Sequence, residues 1–156
     1  MWFRCFQIPY ILLLFKPYYL YAANISTKQI KNDYFKYRSS NRKKFKKNKG
    51  YTNYVEDHHI IPKQWKTHKL LNNINFDINS SNNLYIMPNY NANEKFNLHP
   101  NTLIHKGGHI KYNYYVKQQL DYLYQLDKDA QQYEFWLLLN HLRSNMKNNK
   151  DGIPWK

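Results

Sequence analysis

Two adjacent histidines stand in the run Asp57-His58-His59-Ile60-Ile61-Pro62. Downstream come Asn83 and then His105 and His109, four residues apart in His105-Lys106-Gly107-Gly108-His109. Six of the seven histidines of the chain fall between positions 58 and 109, so one third of the sequence holds nearly all of its imidazole. Imidazole is the commonest metal ligand, and its ordinary pKa of ~6.5 also lets it take a proton at neutral pH. A metal with a basic side chain beside it is suited to hydrolysing phosphodiesters. The single cysteine, Cys5, excludes an intrachain disulfide and a thiolate zinc site. A metal here must be held by imidazole, carboxylate, amide or water.

The elements around these residues must bring them together. Residues 55–61 read as a strand: Val55, Ile60 and Ile61 are β-branched and Pro62 ends the run. Neighbouring strand residues face opposite ways, which suits a division of labour between His58 and His59, one on the metal and the other on the attacking water. Asp77, Asn79, Ser80 and Ser81 mark a turn before a second short strand at 84–87. Asn83 falls where loop meets strand, and its amide can hydrogen-bond two backbones at once. The spacing of His105 and His109 would place both rings on one face if helical, with Gly107 and Gly108 at the helix start, where the backbone must come close to something. Residues 112–126 follow in helical pattern, with Val116, Leu120, Leu123 and Leu126 recurring at three and four. A second helix is expected over 130–146, capped by Asp127 or Asp129, with Tyr133, Trp136, Leu137 and Leu139 to Leu142 as its apolar stripe. The two helices can pack as a hairpin over a core too small to be stable alone.

The 156 residues suit one domain with a short extra segment, and an apolar content of 42% suffices for a core. The net charge of +14 points to an acidic partner, nucleic acid ahead of an anionic membrane. Lys outnumbers Arg 20 to 4, a bias that also arises from A+T-rich coding and discounts the charge somewhat. The charge is densest at residues 36–49, where eight of fourteen residues are Lys or Arg and none is acidic. No apolar period rises above it, so 24–53 is expected to be a basic, flexible arm. Lys43, Lys44, Lys46 and Lys47 can neutralise phosphates and give affinity independent of sequence, and Tyr37 and Phe45 can stack on bases. Few arginines mean little bidentate reading of guanine. Residues 1–23 carry Arg4, an apolar run and Ala22-Ala23. The run is about half the ~20 residues needed to span a bilayer, so no stable membrane span is expected. A signal peptide, implying secretion, and a buried or membrane-associating segment in an intracellular protein are both open.

The ordered set resembles the HNH endonucleases, also called ββα-metal or His-Me finger nucleases, and is most similar to the AHH-type branch common among toxin domains. The pieces are His58-His59-Ile60-Ile61-Pro62, a short helix over 63–71, Asn75-Phe76-Asp77-Ile78-Asn79 with Asn82-Asn83-Leu84-Tyr85-Ile86-Met87-Pro88, and His105 to His109 before Tyr112. The resemblance runs over residues 56–119. Asp57 replaces the alanine that names the branch, Asn75 stands where glycine is usual, and no glycine follows Asn83. None of these changes removes a group the chemistry needs, and Asp57 adds an acceptor that could orient an imidazole.

The resemblance implies an α+β fold: a small ββα-metal, treble-clef-like nuclease core at 54–120 with a C-terminal helical hairpin and tail at 121–156. It implies His58, His105 and His109 as ligands of one divalent metal, His59 as general base and Asn83 as the residue fixing the loop that aims His59. Three imidazoles favour Zn²⁺, Mn²⁺ or Ni²⁺, while the superfamily often works with Mg²⁺. The expected function is a metal-dependent endonuclease of low sequence specificity, on DNA ahead of RNA. A toxin or effector role would bring an immunity protein as partner. Two alternatives stand beside it: a non-catalytic nucleic-acid-binding module stabilised by a metal, and a membrane-associated protein. Of the other histidines, His68 is expected at the surface or in packing, His99 to remain open as a ligand or phosphate contact, and His141 to be structural.

Overall fold

The two short β-branched runs pair. Strand β1 (Val55–His59) and strand β2 (Leu84–Pro88) form a two-stranded antiparallel sheet, with His58 opposite Tyr85 and His59 opposite Leu84. The computed structural model describes residues 35–148 and Pro154. Residues 1–34, with the apolar run and Cys5, and Trp155 of the tail lie outside the described residues. Around the sheet lie helices α1 (Ser40–Asn48), α2 (Lys69–Asn73), α3 (Ala92–Phe96), α4 (Ile110–Tyr124) and α5 (Lys128–Asn148), with 3-10 turns at Lys63–Trp65 and Ser81–Asn83. The architecture is α+β, as expected. Among the described residues no helix is long and apolar enough to cross a membrane.

The basic segment, expected as a flexible arm, contains a helix. Residues 40–48 are helical. Ser39 caps the helix by accepting a hydrogen bond from the Arg42 amide at 3.3 Å, and Lys46 and Lys47 fall in the last turn, where the helix dipole favours cations. The helix that no apolar period announced is held by a residue distant in sequence. Asp57 on β1 lies 2.8 Å from the Arg42 guanidinium and 3.1 Å from the Lys46 ammonium, and Arg42 is only 7% exposed.

The helix expected over 63–71 divides in two. The first turn ends at Trp65, and the His68 ring then caps α2 by accepting from the Leu70 amide at 3.2 Å. Helices α4 and α5 pack against each other across a three-residue connection, the expected hairpin. On α4 the buried positions are Tyr112, Val116, Leu120 and Leu123. On α5 the inward stripe is Phe135, Leu139, Leu142 and Met146, at spacings of four, three and four. Tyr133 and Leu137, expected inside, are 52% and 46% exposed; they lie about half a helical turn from that stripe.

A single core joins the parts. Ile60, Ile61, Leu70, Leu71 and Met87 from the histidine-bearing half cluster with Val116, Leu120, Phe135, Leu139 and Leu142 from the hairpin. The hairpin thus supplies much of the apolar surface that keeps the small sheet out of water.

Candidate metal centre

The alternation of β1 sends Glu56 and His58 to one face and Asp57 and His59 to the other. On the first face, His58 meets His105 and His109. Their ring centroids form a near-equilateral triangle, 5.4 Å from His58 to His105, 5.3 Å from His58 to His109 and 5.2 Å from His105 to His109. Each ring offers a nitrogen, and the three nitrogens lie within 4.8 Å of one another. A cation at ~2.0–2.1 Å from imidazole nitrogens fits inside such a triangle. The donor set is three imidazole nitrogens, which would leave further coordination positions open to water or substrate.

His105 and His109 do not reach this point on a helix. His105 lies in a loop whose amide donates to the Pro88 carbonyl at 2.8 Å, pinning the loop to the end of β2. His109 is the residue just before α4, and its carbonyl accepts from the Asn113 amide at 2.8 Å. Gly107 between them has φ 93°, a left-handed conformation that favours glycine. A Cβ added at Gly107 or Gly108 would meet nothing within 4 Å. At Gly107, backbone conformation rather than close approach explains the glycine.

Glu56, two residues before His58 on the same face, places Oε2 2.8 Å from Nδ1 of His105. That contact fixes the ring and leaves Nε2 as the nitrogen that can bind a cation, the arrangement by which an outer carboxylate orients a histidine ligand. Asp57 does not serve an imidazole in this way, since strand alternation turns it to α1 instead. The strand period is the signal that would have selected Glu56 over Asp57. Burial and the nearby imidazoles of His109, His105 and His59 push the pKa of His58 down to about 3. His58 is therefore neutral across the physiological range, and neutral imidazole is the form that binds metal.

His59 occupies the other face. Its Nε2 lies 3.4 Å from Oδ1 of Asn79, and its ring centroid lies 4.6 Å from that of Tyr37. Burial lowers its pKa below the ordinary histidine value, the contact with Asn79 opposes the shift, and the Lys63 ammonium adds to it. At neutral pH the ring is uncharged. With the proton on Nε2 and shared with Asn79, Nδ1 keeps its lone pair. The sequence marks Asn79 as a turn residue, and its contact with the His59 ring depends on packing that the turn signal does not reveal.

Asn83 is fully buried and makes three hydrogen bonds. Its Oδ1 accepts from the Ile61 amide at 2.7 Å, and its Nδ2 donates to the Ile61 carbonyl at 3.0 Å and the Ile78 carbonyl at 2.9 Å. Its own carbonyl accepts from the Ile60 amide at 2.8 Å. The residues that follow His59 are thus tied directly to the start of β2. The Tyr112 hydroxyl donates to the Ile60 carbonyl from α4, a second tie that sequence reasoning did not identify.

The remaining expected residues divide. Lys43, Lys44 and Lys47 are exposed on α1, while Lys46 is engaged with Asp57. His68 bonds Asp121 at 3.0 Å as well as capping α2. His99 accepts from the Asn101 amide at 3.2 Å and is not among the clustered ligands. His141 pairs with Asn145 within α5 at 2.9 Å.

Residues 39–144 match the model of a family described as a nuclease family of the HNH/ENDO VII superfamily with conserved AHH. The match takes in α1 and most of α5. No curated protein and no solved structure matches the chain.

Proposed function

This chain belongs to the AHH nuclease family of the HNH/ENDO VII superfamily, and on that premise we propose that it is a metal-dependent endonuclease that hydrolyses phosphodiester bonds with low sequence specificity, DNA ahead of RNA. The observation that carries the reading is the convergence of His58, His105 and His109 from β1, a loop and the start of α4, with a neutral histidine on the reverse of the same strand. We read β1, β2 and α4 as the ββα-metal unit, treble-clef-like in plan.

His58, His105 and His109 would hold one divalent ion, Zn²⁺, Mn²⁺ or Ni²⁺ by ligand type or Mg²⁺ by the habit of the superfamily. Held there, such an ion would supply Lewis-acid chemistry to the charge that develops at the phosphate. His59 acts as general base. Its Nδ1 takes a proton from water as the water oxygen bonds to phosphorus; the P–O3′ bond breaks with its electron pair on O3′, which takes a proton from solvent, leaving a 5′-phosphate and a 3′-hydroxyl. Asn79 holds the proton-bearing side of that ring. Asn83 holds Ile61 and so fixes the exit of the strand that carries the base. Lys43, Lys44 and Lys47 supply phosphate affinity without base reading. A secreted toxin or effector, neutralised by an immunity protein, is the biological setting supported by the AHH resemblance. Secretion would rest on residues 1–23.

Purified protein is incubated with supercoiled plasmid and with RNA, each with Mg²⁺, Mn²⁺, Zn²⁺ or chelator. Cleavage is expected with metal and not with chelator, and His59→Ala is expected to lose ~10²–10⁴-fold in rate while still binding metal. Full cleavage by His59→Ala would end the assignment of the base. Binding without cleavage under every ion would favour the metal-stabilised binding module.

A further inference from the structure

We propose that Arg38 and Lys63, both set on the ring of Tyr37 beside His59, form a clamp for the phosphates that flank the scissile bond. The proposal rests on the nuclease reading above and deepens it by naming substrate-holding residues. The Arg38 guanidinium lies 5.1 Å and the Lys63 ammonium 5.2 Å from the Tyr37 ring centroid, and that ring is 4.6 Å from His59. Both cations are therefore within about 10 Å of the base, up to about three nucleotide steps at ~3.4 Å of axial rise per strand. Aromatic faces attract and orient cations, so Tyr37 is the positioning residue and the two cations are the phosphate contacts.

The backbone at Arg38 is a second, independent observation. Arg38 has φ 61°. It sits third in a turn closed by the Ser39 amide on the Lys36 carbonyl at 3.0 Å, a place where glycine is at home. The other non-glycine residues with positive φ among the described residues are Asn53, Asn75 and Asn97, a type that tolerates this region. Arginine is the least expected of the four, and it is one of only four arginines in the chain. Strain kept at one residue points to a use for its side chain. The turn is also anchored toward the base: the Tyr37 amide donates to the Asn79 carbonyl at 2.9 Å, and Asn79 is the residue whose side chain meets His59.

The basic segment sorts into two kinds of cation. Lys36 pairs with Asp77 at 3.1 Å, and Arg42 and Lys46 pair with Asp57; these build the fold. Arg38 and Lys63 are exposed, and among the described residues neither has a carboxylate partner. Arg38 also lines, with Arg42, Lys43, Lys46, Glu56 and Asp57, a cavity of about 260 Å³ between α1 and β1, in which Asp57 is already neutralised by Arg42 and Lys46. Lys63 follows Pro62 directly after Ile61, whose amide and carbonyl Asn83 holds.

The test measures binding of a short fluorescent DNA duplex by fluorescence anisotropy, in chelator, across a series of salt concentrations. Arg38→Gly, Lys63→Ala and the double variant are compared with wild type and with Lys128→Ala, which removes one exposed charge at the start of α5. Each clamp substitution should weaken binding ~3–10-fold and reduce the slope of log K against log salt by ~0.9, and the double variant by about twice that. Arg38→Gly should melt no lower than wild type, because glycine accepts the left-handed φ; a loss of affinity with full stability separates phosphate contact from a folding role. A double variant with the affinity and salt slope of Lys128→Ala overturns the clamp. Wild-type cleavage with metal is followed in parallel. A vanished slope effect with cleavage intact removes the clamp alone, and absent cleavage with the slope effect intact removes the nuclease reading and retains the two phosphate contacts.

Discussion

Replacing Asn83 by alanine tests whether one buried amide organises the base of the site. Its side chain makes three hydrogen bonds of 2.7–3.0 Å to the backbone of Ile61 and Ile78, and none of its surface is exposed. A neutral hydrogen bond contributes about 1 kcal/mol net, and a buried partner left unsatisfied costs ~1–3 kcal/mol. Alanine strands one amide and two carbonyls at once. The loss should therefore come to ~3–5 kcal/mol, a large share of a total stability of ~5–15 kcal/mol. The midpoint of thermal unfolding should fall by on the order of 10–15 °C for a domain of this size. Urea denaturation in chelator checks the value, with an unchanged m-value showing that the unfolded reference is the same. Asn93→Ala, on the exposed surface of α3, serves as control and should change stability by less than ~0.5 kcal/mol. Asn83→Asp should be no better than alanine, because a carboxylate oxygen would then face the two carbonyls that Nδ2 now serves. A cost below ~1 kcal/mol for Asn83→Ala would show that the strand exit is held by other contacts, and the account of how His59 is aimed would fail.

Three further outcomes follow from the geometry. His58 has a folded pKa of about 3 against ~6.5 unfolded, so the unfolded chain binds the extra proton and the metal-free protein loses stability as pH falls from 6.5 towards 3. The slope is up to ~1.4 kcal/mol per pH unit, and wild type should lose ~2 kcal/mol more than His58→Gln between pH 6.5 and 5; parallel urea titrations of the two would refute it. Glu56→Gln should weaken Zn²⁺ binding ~10-fold by calorimetry, since it loosens the carboxylate that orients His105; unchanged affinity would remove Glu56 from the centre. Asp57→Ala strands the buried Arg42 guanidinium and should cost ~3 kcal/mol in urea unfolding, with α1 losing amide-exchange protection first; uniform protection across α1 and β1 would contradict the tie.

Much of the frame was legible in the sequence because it rests on local signals. The β-branched run into Pro62 gave β1, the i, i+3, i+4 leucines gave α4, and the position of Asn83 at a loop–strand junction anticipated its double backbone bonding. The illegible parts depend on partners distant in sequence. Helix α1 reads as a charged run without an apolar period until Asp57, fifteen residues past Arg42, is placed against it. The i, i+4 spacing of His105 and His109 suggested a helix, yet Gly107 at φ 93° brings the rings together through a loop, a conformation that spacing alone does not reveal. Asn79 and Tyr37 meet His59 through tertiary packing; the sequence marks one as a turn residue and the other as an aromatic in a basic run, and neither mark points to His59.

If His58 and His59 have the roles proposed, the opposed faces of β1 make its pairing register as important as the two rings themselves. Sliding β1 by one residue against β2 would turn His59 toward His105 and His109, and would send His58 to Tyr37 and Asn79. The protein would keep the same amino acids and much the same hydrogen-bond ladder, with the surroundings of the two histidines exchanged. A single-residue insertion or deletion between 55 and 59 should therefore be far more harmful than one in the connection between α4 and α5. On the proposed roles, a change in the length of this five-residue strand should be as damaging as the loss of either of its histidines.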